Sequence, residues 1–118
     1  MPTSQQLPLY HKLYQLIKFL YGIRSNFAKE YKYTFGDDVV VLAWGCIDLF
    51  LEANSGGKEK YLKISMLSVE FDKLKLRLRM GQELKLISIG QFAHLQENFI
   101  SDSGRMIGGW LKENFAKA

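Results

Sequence analysis

Four cations alternate with apolar residues in Lys73-Leu74-Lys75-Leu76-Arg77-Leu78-Arg79-Met80, and the chemistry open to them is the binding of phosphate or of an acidic partner. Few other residues have the type or spacing for chemistry. His11 and His94 are remote in sequence, with neither the i, i+4 spacing nor the cysteine neighbours of a metal site. His11, between Tyr10 and Lys12, reads as a helix-surface residue, and His94 as a partly buried one. Asp37-Asp38 offers either a cation site or an acidic first helical turn, and the turn needs no ligand. No nucleophile motif, phosphate-cradling glycine loop or dinucleotide fingerprint occurs. The chain reads as a non-enzyme, with no cofactor and no metal.

The alternating run taken alone has the period of an amphipathic strand. Its surroundings favour a helix. Leucine, lysine, arginine and methionine are helix formers, no β-branched residue occurs in the run, and helical spacing continues through Ile64, Leu67, Phe71, Leu74 and Leu78. On a helix the eight side chains fall into four stripes, because each residue advances by about 100°. Leu74 and Leu78 share one side, Leu76 and Met80 lie nearly opposite, and two basic stripes run between them. A bundle helix needs one apolar face, so the second requires cover. Either another subunit supplies it, or this is a central helix enclosed within one monomer.

Four helical segments can be placed around this run. The first starts at Leu7-Pro8, with proline suited to the first turn, carries Leu9, Leu13, Leu16, Ile17, Leu20 and Phe27, and ends near Lys29 to Lys32. Thr34 with Asp37 resembles a capping box for a second helix reaching about Ala53. Asn54-Ser55-Gly56-Gly57 is a turn. The third helix spans Lys58 to about Ile87. Ser88 with Gln91 is a second capping-box pattern, and the fourth helix occupies Gln91 to about Phe115. In that last segment Gly108-Gly109 costs helix stability, roughly 0.5 to 1 kcal/mol per glycine. The pair marks a close approach by another backbone or large side chain, or else a helix break, although Trp110, Leu111 and Phe115 continue the apolar face beyond it.

At 118 residues, 47% of them hydrophobic and only two of them proline, the chain suits one folded domain, Leu7 to Ala118, behind a disordered tail, Met1 to Gln6. The tail has no basic residue and no apolar core, unlike a signal peptide. The longest apolar run, Val39 to Ile47, is too short to cross a bilayer. The single cysteine, Cys46, sits in that run as a buried thiol, consistent with a reducing cytoplasm. From Met1 to Tyr33 there are five basic residues against one acid, and from Lys58 to Lys85 eight against four. Thr34 to Asn54 reverses this, with Asp37, Asp38, Asp48 and Glu52 and no cation. With a net charge of +4, such a distribution fits a nucleic-acid footprint, and it equally fits ordinary solvated faces. The six tyrosines and eight phenylalanines supply either stacking platforms or core.

Leu7-Pro8-Leu9-Tyr10-His11-Lys12, Phe27-Ala28-Lys29-Glu30-Tyr31-Lys32-Tyr33-Thr34-Phe35-Gly36 and Gly104-Arg105-Met106-Ile107-Gly108-Gly109-Trp110-Leu111-Lys112 occur in the order and spacing of one known family. The chain resembles Avd, the accessory variability determinant of diversity-generating retroelements, within the small four-helix-bundle proteins that include those encoded by 23S ribosomal RNA intervening sequences. A weaker match runs from Lys73 through Met80 to Leu84. The Asn-Ile-Ala-Glu-Gly and Glu-Leu-Glu-Thr signatures of the intervening-sequence branch are missing. Ala28 stands where proline is expected, which should let the first helix run slightly longer.

The resemblance implies an all-α, antiparallel up-down four-helix bundle assembled into a ring, most simply a homopentamer, in the bacterial cytoplasm. It implies an accessory protein that binds a reverse transcriptase and RNA or DNA through a basic surface during mutagenic retrohoming, with no membrane partner. Carried onto matching positions, nucleic-acid contacts would come from Lys73, Arg77 and Arg79, from Arg105 and Lys112, and from Lys29 and Lys32; Lys75 and Lys85 are expected to join them as further cations of the basic third segment. Leu76, Met80, Gly108, Gly109 and Trp110 would serve interfaces and close packing. An RNA-associated protein of the intervening-sequence type and a generic oligomeric scaffold are the competing expectations.

Overall fold

The structure, a computed structural model, describes residues 6–116. The expected disordered tail, apart from Gln6, and the last two residues of the expected domain lie outside the described residues. Four long helical stretches form: α1 (Leu7–Arg24), α3 (Phe35–Asn54), α4 (Lys60–Glu83) and a final stretch made of α5 (Ile89–Leu95), a π-helical turn (Gln96–Ile100) and α6 (Ser101–Phe115). A single turn, α2 (Lys29–Lys32), joins α1 to α3. No strand occurs among the described residues. Short connections force successive long helices to run antiparallel. They lie along the long axis of a particle of 46 × 24 × 22 Å, with contacts α1 to α3, α3 to α4, α4 to α6 and α6 to α1 closing the bundle.

One apolar stripe from each helix fills the centre. Leu9, Leu13, Leu16 and Leu20 of α1 meet Val39, Ala43, Cys46 and Phe50 of α3, Ile64, Leu67, Phe71, Leu74 and Leu78 of α4, and Leu95, Ile107 and Trp110 of the final stretch. Burial of these side chains supplies the main driving force, at about 1.5 to 3 kcal/mol for a fully buried Leu, Ile or Phe. Cys46 is fully enclosed, and burial, with the Glu70 carboxylate second, pushes its thiol pKa up to about 12.

Local signals fix most boundaries. Ser88 Oγ accepts from the Gln91 amide and Gln91 Oε1 accepts from the Ser88 amide, both at 3.0 Å, completing the expected capping box. Gly56 and Gly57 take φ of +85° and +89° in the turn before α4. At the other end of α4 the Lys85 amide donates to Gln82 and the Leu86 amide to Gly81, a Schellman closure with Lys85 at φ 65° where glycine is usual.

Two expected helix ends and one expected cap are corrected. The third helix ends at Glu83, not near Ile87, because the Schellman closure stops it. The first helix stops at Arg24, not near Lys29 to Lys32, and Ala28 does not extend it. Ala28 sits at φ −57°, ψ 149°, the backbone proline itself would adopt, so the position keeps its extended geometry without the ring. Thr34 precedes α3 but does not cap it. Its hydroxyl donates instead to the Glu30 carbonyl at 2.7 Å, and Asp37 is taken by Arg24 at 2.6 Å.

Candidate nucleic-acid interface

The 73–80 run is helical, and its four stripes are where the spacing puts them. Leu74 and Leu78 are buried, while Leu76 and Met80 are 60% and 48% exposed, so α4 is not enclosed within the protomer. The exposed stripe is longer than the run shows. Leu62, Met66, Val69, Leu76 and Met80, with Lys73 in register, recur at alternating steps of four and three along α4, all of them exposed. This seven-residue repeat was legible in the sequence upstream of Lys73, behind the more conspicuous alternation. Beside α4, α3 turns Val41, Trp44 and Leu51 outward, and Trp44 Nε1 donates to the Tyr21 hydroxyl of α1 at 2.9 Å.

The cations that flank the α4 stripe all have carboxylate partners. Lys73 pairs with Glu70 (3.5 Å), Lys75 with Asp72 (3.2 Å), Arg77 with Asp38 of α3 (3.3 Å) and Arg79 with Glu83 (3.3 Å). Lys63 pairs with Glu52 of α3 at 2.8 Å, which holds its ammonium pKa above the usual value. The opposite charge of the second and third sequence segments is thus partly consumed where α3 and α4 pack side by side. Such exposed pairs are worth about 0 to 1 kcal/mol each, so a competing phosphate displaces them at small cost.

The remaining candidates differ. Lys29, Lys32 and Lys85 have no ion pair among the described residues, and the alternating helix directions bring all three to one end of the bundle. Lys112 is likewise without an ion pair, at the far end, whereas Arg105 is held by Asp102 at 2.9 Å. Trp110 is buried against Phe50, ring centroids 5.5 Å apart. The close approach expected at Gly108 and Gly109 is not made inside the protomer. Both are exposed, and a Cβ added to either meets no atom within 4 Å. The helix runs unbroken through the pair, which excludes the helix break. The tightest glycine is elsewhere, at Gly81, where a Cβ would stand 2.5 Å from the Phe35 ring. Phe115, expected on the apolar face, is 69% exposed.

On the opposite side of the bundle α1 presents Lys12, Lys18 and Arg24 and contains no acid. The two histidines, remote in sequence, line one groove there, with Pro8, Lys12, Gln15, Asn98 and Phe99. His94 is exposed rather than partly buried, its ring resting on Phe19 at 4.7 Å between centroids. The groove exists because the π turn widens the last helix at Asn98, whose carbonyl accepts from Lys12 Nζ at 2.7 Å. Lys12 also pairs with Asp102, and Arg105 first and Lys12 second hold that carboxyl below the usual range. Asp37 and Asp38 bind Arg24 and Arg77, which accounts for both acids without a cation. Among the described residues no group of three or more His, Cys, Asp or Glu is gathered for a metal, and no helix is long and apolar enough to cross a membrane.

No curated protein and no solved structure matches the chain. A family model does, over nearly the whole bundle. The matched region takes in the α1 start, the Ala28 turn, α4 and the Gly108-Gly109 segment, and with an all-helical four-helix architecture to accompany it, residues 7–114 identify the chain as a member of the bAvd-like family.

Proposed function

We propose that this protein is the accessory factor of a diversity-generating retroelement. It assembles as a homopentameric ring in the bacterial cytoplasm, binds the element's reverse transcriptase, and engages the RNA template and cDNA through a basic surface to support mutagenic retrohoming. Membership of the bAvd-like family over residues 7–114 is the observation that carries this reading. The exposed α4 stripe supports the assembly. An apolar row along a whole helix is more than scattered surface hydrophobics, and a second apolar face on α3, around Val41, Trp44 and Leu51, supplies the different patch that a head-to-tail ring requires. Leu76 and Met80 belong to this contact, and Gly108 and Gly109 offer a partner subunit or the polymerase an unobstructed helix surface.

In this reading the nucleic-acid surface is led by Lys18, Lys29, Lys32, Lys85 and Lys112, which with Lys58 and Lys60 are the cations that have no ion pair among the described residues. Lys73, Lys75, Arg77, Arg79 and Arg105 join it only by exchanging their acids for phosphate. Co-expression with the reverse transcriptase of a diversity-generating retroelement tests the whole. The proposal expects a stable complex that retains RNA at moderate salt, and failure to co-purify with the polymerase in any salt contradicts it.

A competing reading, a generic interaction scaffold, is favoured by one observation, the neutralisation of the α4 cations. It expects no nucleic-acid binding at moderate salt.

A further inference from the structure

The groove between α1 and the π turn consists of two adjoining depressions of about 460 and 470 Å³ that share Gln15, His94 and Phe99. They follow α1 from Pro8 to Ile23, roughly 22 Å at 1.5 Å per residue. No Asp or Glu lines either one. The floor is aromatic, with Phe19 and Phe99 half-buried beneath the His94 ring, which stands 33° from the Phe19 plane and edge-on to Phe99.

Asn98 orients the His94 ring. The Asn98 amide lies 3.0 Å from His94 Nδ1 and donates to the His94 carbonyl at 3.1 Å. With that amide nitrogen as donor, the neutral imidazole carries its proton on Nε2, which has no protein acceptor among the described residues. The His11 ring, the side-chain amides of Gln15 and Asn26 and the Lys18 ammonium likewise make no hydrogen bond or ion pair among the described residues. Lys18 lies instead 6.0 Å from the Tyr14 ring centroid. Unengaged donors around an aromatic floor with no carboxylate in its lining, Lys18 unpaired and Lys12 held by a half-exposed pair with Asp102 that a phosphate displaces at small cost, match the needs of a base joined to phosphate. A phosphate alone would leave the rings and amides unused.

We propose that this groove holds an unpaired nucleotide of a single-stranded nucleic acid. The base lies against the His94 and Phe99 rings, its edge takes hydrogen bonds from Gln15 and His94 Nε2, and the flanking phosphates meet Lys12 and Lys18. This rests on the nucleic-acid reading above and adds to it a preference for unpaired strand, since a base inside a duplex cannot reach the floor.

The test measures fluorescence anisotropy of the full chain with a deoxythymidine oligomer of roughly twelve nucleotides, within known single-strand site sizes, an abasic oligomer of equal length and a duplex. Wild type should bind the intact strand at least about fivefold tighter than the abasic one, and His94→Ala or Gln15→Ala should erase that preference while leaving duplex affinity unchanged. Equal affinity for intact and abasic strands overturns the pocket while the broader reading stands, and absence of binding to all three overturns both. Should His94→Ala fail to fold, the imidazole proton resonances of wild-type His94 decide. They shift with the intact oligomer and not the abasic one if the groove is the site, and stay unmoved by both if it is not.

Discussion

Helices α1 and α4 both turn cations to the outside, yet they keep them in different company. On α4 an apolar row runs the length of the helix, and Lys73 within it and Lys75, Arg77 and Arg79 on its flanks are each matched by a carboxylate. On α1 no acid is present; Lys12 and Arg24 reach carboxylates on other elements, Asp102 and Asp37, and Lys18 has no ion pair among the described residues. A surface meant for another protein benefits from apolar area with its charges settled beforehand. One meant for a polyanion benefits from cations left unsettled. Counting basic residues along the chain therefore points to the middle of α4, whereas those without an ion pair among the described residues lie elsewhere: Lys18 on α1, Lys29 and Lys32 in the turn after it, Lys58, Lys60 and Lys85 at the two ends of α4, and Lys112.

The sharpest break in this comparison is within α4 itself. Leu78→Ala should cost about 2 to 5 kcal/mol of unfolding free energy at any protein concentration, because it empties a core position. Leu76→Ala, two residues away, should leave protomer stability within about 0.5 kcal/mol and weaken only the concentration-dependent part. Chemical denaturation at two protein concentrations separates the two, and an equal cost at both positions would mean that the outer stripe is not an assembly face.

Next in size is the salt dependence of RNA binding. Replacing Lys18, Lys29 and Lys32 by glutamine should lower the slope of log affinity against log salt by roughly 0.7 for each phosphate of a single strand that is no longer neutralised. Replacing Lys73, Lys75, Arg77 and Arg79 should change it by less, since those cations are already neutralised. The reverse order would return the nucleic-acid surface to α4.

A smaller effect concerns Lys85, the non-glycine residue at the left-handed position that closes α4. Lys85→Gly should stabilise the protomer by about 1 kcal/mol in a denaturant titration and cost affinity for RNA. A gain in both would remove Lys85 from the nucleic-acid surface.

Smallest is the alkaline behaviour of Cys46. Its thiol ionises near 9.0 when unfolded and is pushed up to about 12 in the fold, so the folded state loses relative stability as pH rises between those values. The stability gap between wild type and Cys46→Ala should narrow from about pH 8 to about pH 11, and the native thiol should resist alkylation.

Where a short stretch of chain decides the outcome by itself, the sequence was readable. Ser88 and Gln91 make their capping box because both partners lie within one turn, and the opposed faces of α4 follow from a 100° step. Features settled by tertiary partners were not. Thr34 and Asp37 have the spacing of a cap, but Glu30 and Arg24 claim them. Ala28 looks like a helix former, yet the turn imposes proline's backbone on it. The glycines of the Gly108-Gly109 pair are open, while the tight glycine, Gly81, gives no local sign of the Phe35 ring that crosses it. The groove needed two things invisible along the chain: a π turn with no composition signal, and the packing that brings His11 and His94 together. The ion pairs between α3 and α4 were half visible, as opposite charge in consecutive helices, and that charge also resembles a nucleic-acid footprint.

The central claim is that α4 faces another protein chain, and the most direct measurement is the absolute mass of nucleic-acid-free protein by light scattering, for wild type beside Leu76→Glu. Wild type near five times 13.6 kDa at low and high salt, with the variant at a single protomer, is the predicted result. A wild-type protein that stays at 13.6 kDa would contradict it.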